Sequence, residues 1–129
     1  MQSYYMLDDT HSLWEVFNLI CPSFYAGSAI KYIVRCERKH ALPLSDMEKA
    51  IDYLEQCRWD PRFIALNPDS GRLDVDDACD IVRNATLLTE WQKTAILQVI
   101  RAESVDDVTI VVDALKRRLE IMIQTDTRG

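Results

Sequence analysis

The sequence predicts an all-α protein of about six helices. Apolar residues recur at intervals of three and four along most of the 129 residues, which is the helical period. The chain has only three glycines and four prolines, so few positions break such a pattern. A run rich in valine and isoleucine at 108–112 is the one place where a strand competes, and no partner strand is evident. We therefore expect a helical hairpin core over 24–58 and a helical pair in the C-terminal part.

The length suits one domain with its own hydrophobic core. We expect residues 1–58 to form the hairpin region, 59–73 a linker and 74–129 a C-terminal helical region, together making one compact unit. The linker holds two prolines and an Asp-Ser-Gly turn signal. Trp59 and Phe63 are too apolar for a solvated tether, so we expect the linker to pack against a helix.

The first two helices are predicted from their boundaries. Ser12 followed by Glu15 is a capping-box pattern, and the short helix that it begins ends before Pro22. We expect this helix to pack across the hairpin. The second helix is predicted over residues 23–39, with Gly27 allowing another backbone to approach closely.

The corner of the hairpin is predicted at residues 40–44, because Pro43 cannot continue a helix. Ser45 and Glu48 form a second capping-box pattern, which predicts that the third helix begins at Ser45. Apolar residues at helical spacing give this helix its buried stripe: Met47, Ala50, Ile51 and Leu54.

Three further helices are predicted in the C-terminal region. An acidic turn from Asp74 begins the first, the second starts near Thr89, and Ser104 caps the last. Alternating steps of three and four define the apolar stripe of the last helix: Val105, Val108, Val112, Leu115, Leu119 and Met122. Such a stripe usually packs inside its own protein. Because Ile110, Val111, Ile121 and Ile123 widen the apolar arc, we also predict a homo-oligomer formed through the helix at 104–124.

Composition excludes several classes of function. A net charge of −6 weighs against an extended nucleic-acid partner, since phosphate-neutralising proteins usually carry excess basic residues. No apolar run approaches eighteen residues, so we expect no membrane span. The four cysteines are scattered without a CxxC pair or a signal peptide, which predicts reduced thiols and no metal site. The sequence identifies no cofactor.

Basic residues on the second predicted helix are the main candidates for ligand binding. Lys31, Arg35, Arg38 and Lys39 recur at i, i+4, i+7 and i+8. Guanidinium and ammonium groups in this arrangement bind phosphates, although a solvated face crossed by salt bridges gives the same pattern. Tyrosines could add stacking platforms for a base, or they could be core residues with a polar tip.

The hairpin region also resembles a known family. The run GSAIKYIVRCERK followed by LSDMEKAIDYLEQ is similar to a bacteriophage domain of unknown function with the pattern GNAIKYLxRAxxK, an acidic turn, then DLxKAxxYL. A domain of this type occurs within the nucleotide kinase of a T7-like phage. The resemblance spans residues 13–56, with Ser28 in place of the usual Asn and without the family's upstream His-Tyr and Gly pair. It implies a helical fold, a phage origin and a location in the host cytoplasm. The family positions match at Gly27, Ala29, Ile30, Lys31, Tyr32, Arg35, Lys39, Asp46, Lys49, Ala50, Tyr53 and Leu54.

The functional expectation combines the basic residues with this resemblance. We expect a small, non-catalytic phage accessory protein that binds a phosphate-bearing ligand such as a nucleotide signal, or a host protein, to counter host defence. The expected ligand-binding residues are Lys31, Tyr32, Arg35, Arg38, Lys39, Lys49 and Tyr53. A nucleotide-processing enzyme, either kinase-like or a metal-dependent hydrolase, remains an alternative. The carboxylate pairs at 52/55 and 76/80 favour it only weakly, and no P-loop or GxSxG motif occurs. An acidic inhibitor of a host enzyme is a further alternative.

Overall fold

A computed structural model describes residues 5–38, 42–60 and 74–128, with side chains as far as Thr125. This part of the chain forms six helices and no strand, so the all-α prediction is confirmed; the valine-rich run at 108–112 is helical. Within these residues, none of the helices has both the length and the apolar composition that crossing a bilayer requires. The helices are α1 Leu13–Ile20, α2 Phe24–Arg35, α3 Pro43–Trp59, α4 Val75–Arg83, α5 Glu90–Arg101 and α6 Val105–Arg128.

Helices α2 and α3 form the predicted hairpin, and the remaining helices cover it. Arg35 at the end of α2 contacts Asp46 at the start of α3, while Tyr25 at the start of α2 contacts Tyr53 late in α3, so the two helices are antiparallel. Helix α6 packs against α3 and α5, and α5 also packs against α2 and α4. Helix α1 packs mainly against α4 rather than across the hairpin. Buried residues from all six helices belong to one hydrophobic core.

Helix α2 is shorter than the sequence predicts: it ends at Arg35 and does not continue to residue 39. The side chain of Gln92 on α5 is fully buried and donates from Nε2 to the carbonyls of Ile33 at 2.8 Å and Val34 at 3.3 Å. Carbonyls in the last turn of a helix have no partner within that helix. Gln92 satisfies them, and this contact from a distant helix stabilises the early end of α2.

Helix α3 begins earlier than predicted. Its first residue is Pro43, and Ser45 forms no capping hydrogen bond, so the predicted capping box with Glu48 is wrong. Proline suits the first position of a helix, where its missing N–H needs no partner. The expected box at Ser12 is also absent, although Ser12 does occupy the N-cap of α1. The predicted stripe of α3 is buried as expected, at Met47, Ala50, Ile51 and Leu54.

Two local predictions around the hairpin need correction. A Cβ atom on Gly27 would lie 3.1 Å from Cγ of Pro22, so glycine there accommodates a proline side chain rather than another backbone. Trp59, expected in the packed linker, is the last residue of α3 and is 82% exposed. Asp60 of the predicted linker is the C-cap of α3, and residues 61–73 lie outside the described residues.

The apolar stripe of α6 packs within the protein. Val108, Val112 and Leu115 are buried, and Leu119 and Met122 are partly buried against the same core. The end of the stripe is held near α3 by an ion pair of 3.3 Å between Lys116 Nζ and Glu55 Oε1. Helix α6 therefore closes the core over α3 and α5, while other apolar residues of the helix stay on its outer surface.

Candidate ligand-binding face

The basic residues predicted along the second helix are not all part of α2. Lys31 and Arg35 lie on α2, but Arg38 lies beyond its end and donates from Nη2 to the carbonyl of Met6 at 2.6 Å. Partial burial lowers the pKa of Arg38. Lys39 lies outside the described residues. The prediction that one helix carries all of these basic residues is therefore wrong, because α2 ends at Arg35.

Arg35 has a structural partner. Its Nε atom lies 3.4 Å from Oδ2 of Asp46, whose side chain is only 1% exposed. The charge of Asp46 raises the pKa of Arg35, with a smaller contribution from a hydrogen bond with Tyr5. Burial raises the pKa of Asp46, and the positive charges of Arg35 and Lys49 oppose that shift. Arg35 therefore joins the end of α2 to the start of α3, and much of its charge is already compensated.

An aromatic cluster covers the outer side of the hairpin. Tyr32 and Tyr53 stack with ring centroids 5.9 Å apart and an interplanar angle of 12°. Tyr25 lies 6.0 Å from the ring of Tyr53, and Phe24 meets the same ring edge-on at 5.9 Å. The three tyrosines are partly buried, whereas Phe24 is 70% exposed. One edge of the cluster is thus open to a ligand.

Two lysines lie beside this cluster. Lys31 Nζ is 5.8 Å and Lys49 Nζ is 5.3 Å from the centroid of the same ring, that of Tyr32. In the described part of the chain, neither ammonium group forms an ion pair with an acidic side chain. Positive charge and aromatic surface are therefore adjacent, and Lys49 acts at longer range on an acidic group, that of Asp46. We call this surface the aromatic–lysine face, defined by Phe24, Tyr25, Lys31, Tyr32, Lys49 and Tyr53.

A groove of about 280 Å³ adjoins the aromatic–lysine face and shares Phe24 and Lys31 with it. Three of its eight lining residues are aromatic, namely Trp14 and Phe17 of α1 and Phe24 at the start of α2. Gly27 keeps it open, since a Cβ atom there would project towards Pro22 and Phe17. The lining residues are Trp14, Phe17, Pro22, Ser23, Phe24, Gly27, Ser28 and Lys31.

The folded chain brings together Lys31, Tyr32, Lys49 and Tyr53 of the predicted ligand-binding set. Sequence reasoning missed the contributions of Phe24, Tyr25 and Trp14. A signal for two of them was present. Phe24 and Lys31 are seven residues apart, as are Tyr25 and Tyr32, and residues two turns apart lie on the same side of a helix. Nothing local to Trp14 indicates its position, which depends on how α1 meets α2.

The described residues support a catalytic or metal site less well than they support the aromatic–lysine face. No group of three or more His, Cys, Asp and Glu side chains in this part could hold a metal ion. Glu55 is bound by Arg58 at 3.2 Å and by Lys116 at 3.3 Å, while Asp76 and Asp80 lie exposed on α4. The carboxylate pairs at 52/55 and 76/80 do not line a common interior.

The cysteines are reduced in the structure, and three of the four are buried. Burial raises the pKa of Cys36 to about 12 and that of Cys57 to about 11. Because the thiolate is the nucleophilic form, these two thiols are unreactive near neutral pH.

No family model matches the chain, and no curated protein or solved structure compared with it matches either. The resemblance of residues 13–56 to the phage domain therefore stays a prediction. The case for a ligand rests on the geometry of the aromatic–lysine face.

Proposed function

We propose that this protein is a non-catalytic binding protein for a nucleotide, which it holds on the aromatic–lysine face. One observation carries the proposal: Lys31 and Lys49 place their ammonium groups over the ring of Tyr32 without an ion pair to an acidic side chain among the described residues. Tyr53 connects that ring to the exposed ring of Phe24. A ligand with both an aromatic ring and negative charge complements such a surface.

Each part of a nucleotide has a counterpart on this surface. The base stacks on Phe24 at the mouth of the groove, opposite Trp14, because an aromatic face accepts any base. The phosphates lie by Lys31 and Lys49, where ammonium groups act as flexible point charges. Ser28 at the rim of the groove offers a hydroxyl to the sugar. Tyr25 and Tyr53 form the platform behind these groups.

The biological setting is proposed from the resemblance. A phage accessory protein in the host cytoplasm that captures a nucleotide signal of host defence fits both the family pattern and a binding site without catalytic groups. Binding to a host protein, inhibition of a host enzyme by acidic side chains, and nucleotide processing are the competing functions.

Binding is tested by differential scanning fluorimetry and isothermal titration calorimetry with mono-, di- and triphosphate nucleotides, cyclic nucleotides and inorganic pyrophosphate, with and without Mg²⁺. A bound ligand stabilises the fold by RT ln(1 + [L]/Kd), about 2.7 kcal/mol at a hundredfold excess over Kd. We expect at least one nucleotide class to bind. Conversion of that nucleotide, detected by chromatography, would favour the enzyme instead.

Two substitutions distinguish the contribution of the base to binding from that of the phosphates. Phe24→Ala is expected to weaken nucleotide binding by about 1–3 kcal/mol, the loss of one stacking partner, and to leave pyrophosphate binding unchanged. Lys49→Ala is expected to lower the affinity for both the nucleotide and pyrophosphate several-fold. Arg83→Ala removes an exposed cation from α4, outside the hairpin, and is the matched control.

The proposal fails if none of the nucleotides binds, or if Arg83→Ala weakens binding as much as Lys49→Ala does. If Phe24→Ala keeps its affinity for the nucleotide, the base does not bind to the aromatic–lysine face. Circular dichroism confirms that each variant keeps its helical content.

A further inference from the structure

The outer surface between α5 and α6 carries apolar side chains that no other part of the described chain covers. Ile110 is 56% exposed and Ile121 is 50% exposed. They are eleven residues apart, so they lie on the same side of α6, roughly 16 Å from one another along the helix axis. Ala114 lies between them on this side, and its small side chain permits a close approach.

A two-part groove follows this stripe between α5 and α6. Its first part has a volume of about 360 Å³ and contains Ile110 and Leu97. Its second part has a volume of about 380 Å³ and contains Ile121, Ala114 and Trp91. Thr94 and Gln98 line both parts, so the two parts adjoin.

The charges of α6 are self-complementary. Asp106, Asp107 and Asp113 precede the cations at 116–118, and Glu120 follows them. Lys116 is paired with Glu55 and Arg118 lies over the ring of Trp91, so Arg117 is the cation of this group that a partner can use. Two copies of such a helix attract one another when they run in opposite directions, and the opposed helix dipoles add to this attraction. Parallel copies would place like charges together.

We infer that two copies of this chain associate through α6 as an antiparallel, two-fold symmetric dimer. Ile121 of each copy enters the part of the groove at Ile110 of the other copy, and the reciprocal contact forms at the other end. A symmetric interface of this kind uses the same patch twice. The two-fold axis lies between Ala114 and Arg117, and Arg117 of one copy reaches Asp113 of the other.

The oligomeric state is tested by analytical ultracentrifugation and light scattering over a concentration series reaching the millimolar range. The expected species has twice the 14.9 kDa mass of the chain. Ile110→Lys and Ile121→Glu are each expected to shift the dissociation constant upward by at least tenfold, because each leaves a charge against isoleucine. Ile123→Lys is the matched control, since Ile123 is 43% exposed but lies roughly 140° around α6 from Ile110.

Mixing Ile110→Lys with Ile121→Glu tests the direction of the helices. In the antiparallel dimer, the introduced lysine of one variant chain would meet the introduced glutamate of the other, and the second contact would be isoleucine with isoleucine. The mixed dimer is therefore expected to regain most of the lost affinity. In a parallel pair, the introduced lysine and the introduced glutamate would each face an isoleucine of the other chain, so the affinity would not recover.

Four results would each overturn the inference: a monomeric native chain at every concentration, a dimer unaffected by Ile110→Lys, a dimer broken equally by Ile123→Lys, or a mixture of the two variants without recovery. Circular dichroism of the single variants shows whether loss of the dimer occurs with the fold intact.

Discussion

At the scale of single residues, the ion pair between Arg35 and Asp46 decides how charge is distributed on the hairpin. Its spacing in the sequence predicts that Arg35 binds a ligand, whereas the fold buries the carboxylate of Asp46 against it. A buried carboxylate is costly unless a cation compensates it, so one of the expected basic residues is used internally. Lys31 and Lys49 form no ion pair with an acidic side chain in the described chain, although Lys49 acts on Asp46 at longer range.

Arg35→Ala should lower the free energy of unfolding by about 2 kcal/mol at neutral pH, less than for a fully buried pair because the arginine side chain is 35% exposed. The pKa of Asp46 is already raised, and removal of Arg35 raises it further. A raised carboxyl pKa means that the folded state binds the proton more readily, so stability falls as the pH rises through that pKa.

The destabilisation by Arg35→Ala is therefore expected to shrink as the pH falls from neutral towards the folded pKa of Asp46. Urea unfolding of the native chain and the variant at several pH values measures this difference. Arg83→Ala, which breaks the exposed pair with Asp80, is the control and should change stability little. A difference that stays constant with pH would mean that the buried charge does not cause the loss.

At the scale of helices, the boundaries of α2 and α3 fix what the hairpin presents. Ser23 caps α2, because its hydroxyl accepts a hydrogen bond from the N–H of Ala26 at 3.2 Å. Ser45 occurs in a similar sequence context but lies inside α3, which begins at Pro43. A hydroxyl within the first turns of a helix that makes no capping bond adds little to its stability.

Ser23→Ala is expected to destabilise the protein by about 1 kcal/mol, whereas Ser45→Ala should change stability by less than about 0.5 kcal/mol. Thermal and urea unfolding of the two variants give these values, and each serine serves as the control for the other. Equal losses would show that Ser45 caps α3 in solution and that the helix begins where the sequence pattern predicted.

At the scale of the whole molecule, the hairpin depends on the C-terminal helices. Gln92 of α5 binds the last carbonyls of α2, and α6 covers α3. Backbone hydrogen bonds link the two portions as well, from Asp74 to the carbonyl of Leu19 at 2.9 Å and from Leu87 to that of Leu7 at 3.0 Å. The hairpin of α2 and α3 is therefore not enclosed by its own residues.

A fragment of residues 1–60 is expected to lack stable structure. Without α5 and α6 its apolar stripes are exposed and the carbonyls at the end of α2 lose their buried partner, and short helices are marginal in water without tertiary packing. Circular dichroism should give it less than about half the helical signal per residue of the full chain. A cooperative thermal transition of the isolated fragment would contradict this dependence.

The sequence by itself determined the approximate number of helices and the buried stripes of α3 and α6, because an apolar period of three to four depends only on local helix geometry. It also identified four residues of the aromatic–lysine face. Only the tertiary structure decided where α2 ends, which basic residue is paired with a buried acid, and how Trp14 and Phe24 form a groove. Those features depend on contacts between residues far apart in the chain, such as Gln92 with Ile33, and a local pattern contains no information about such a contact.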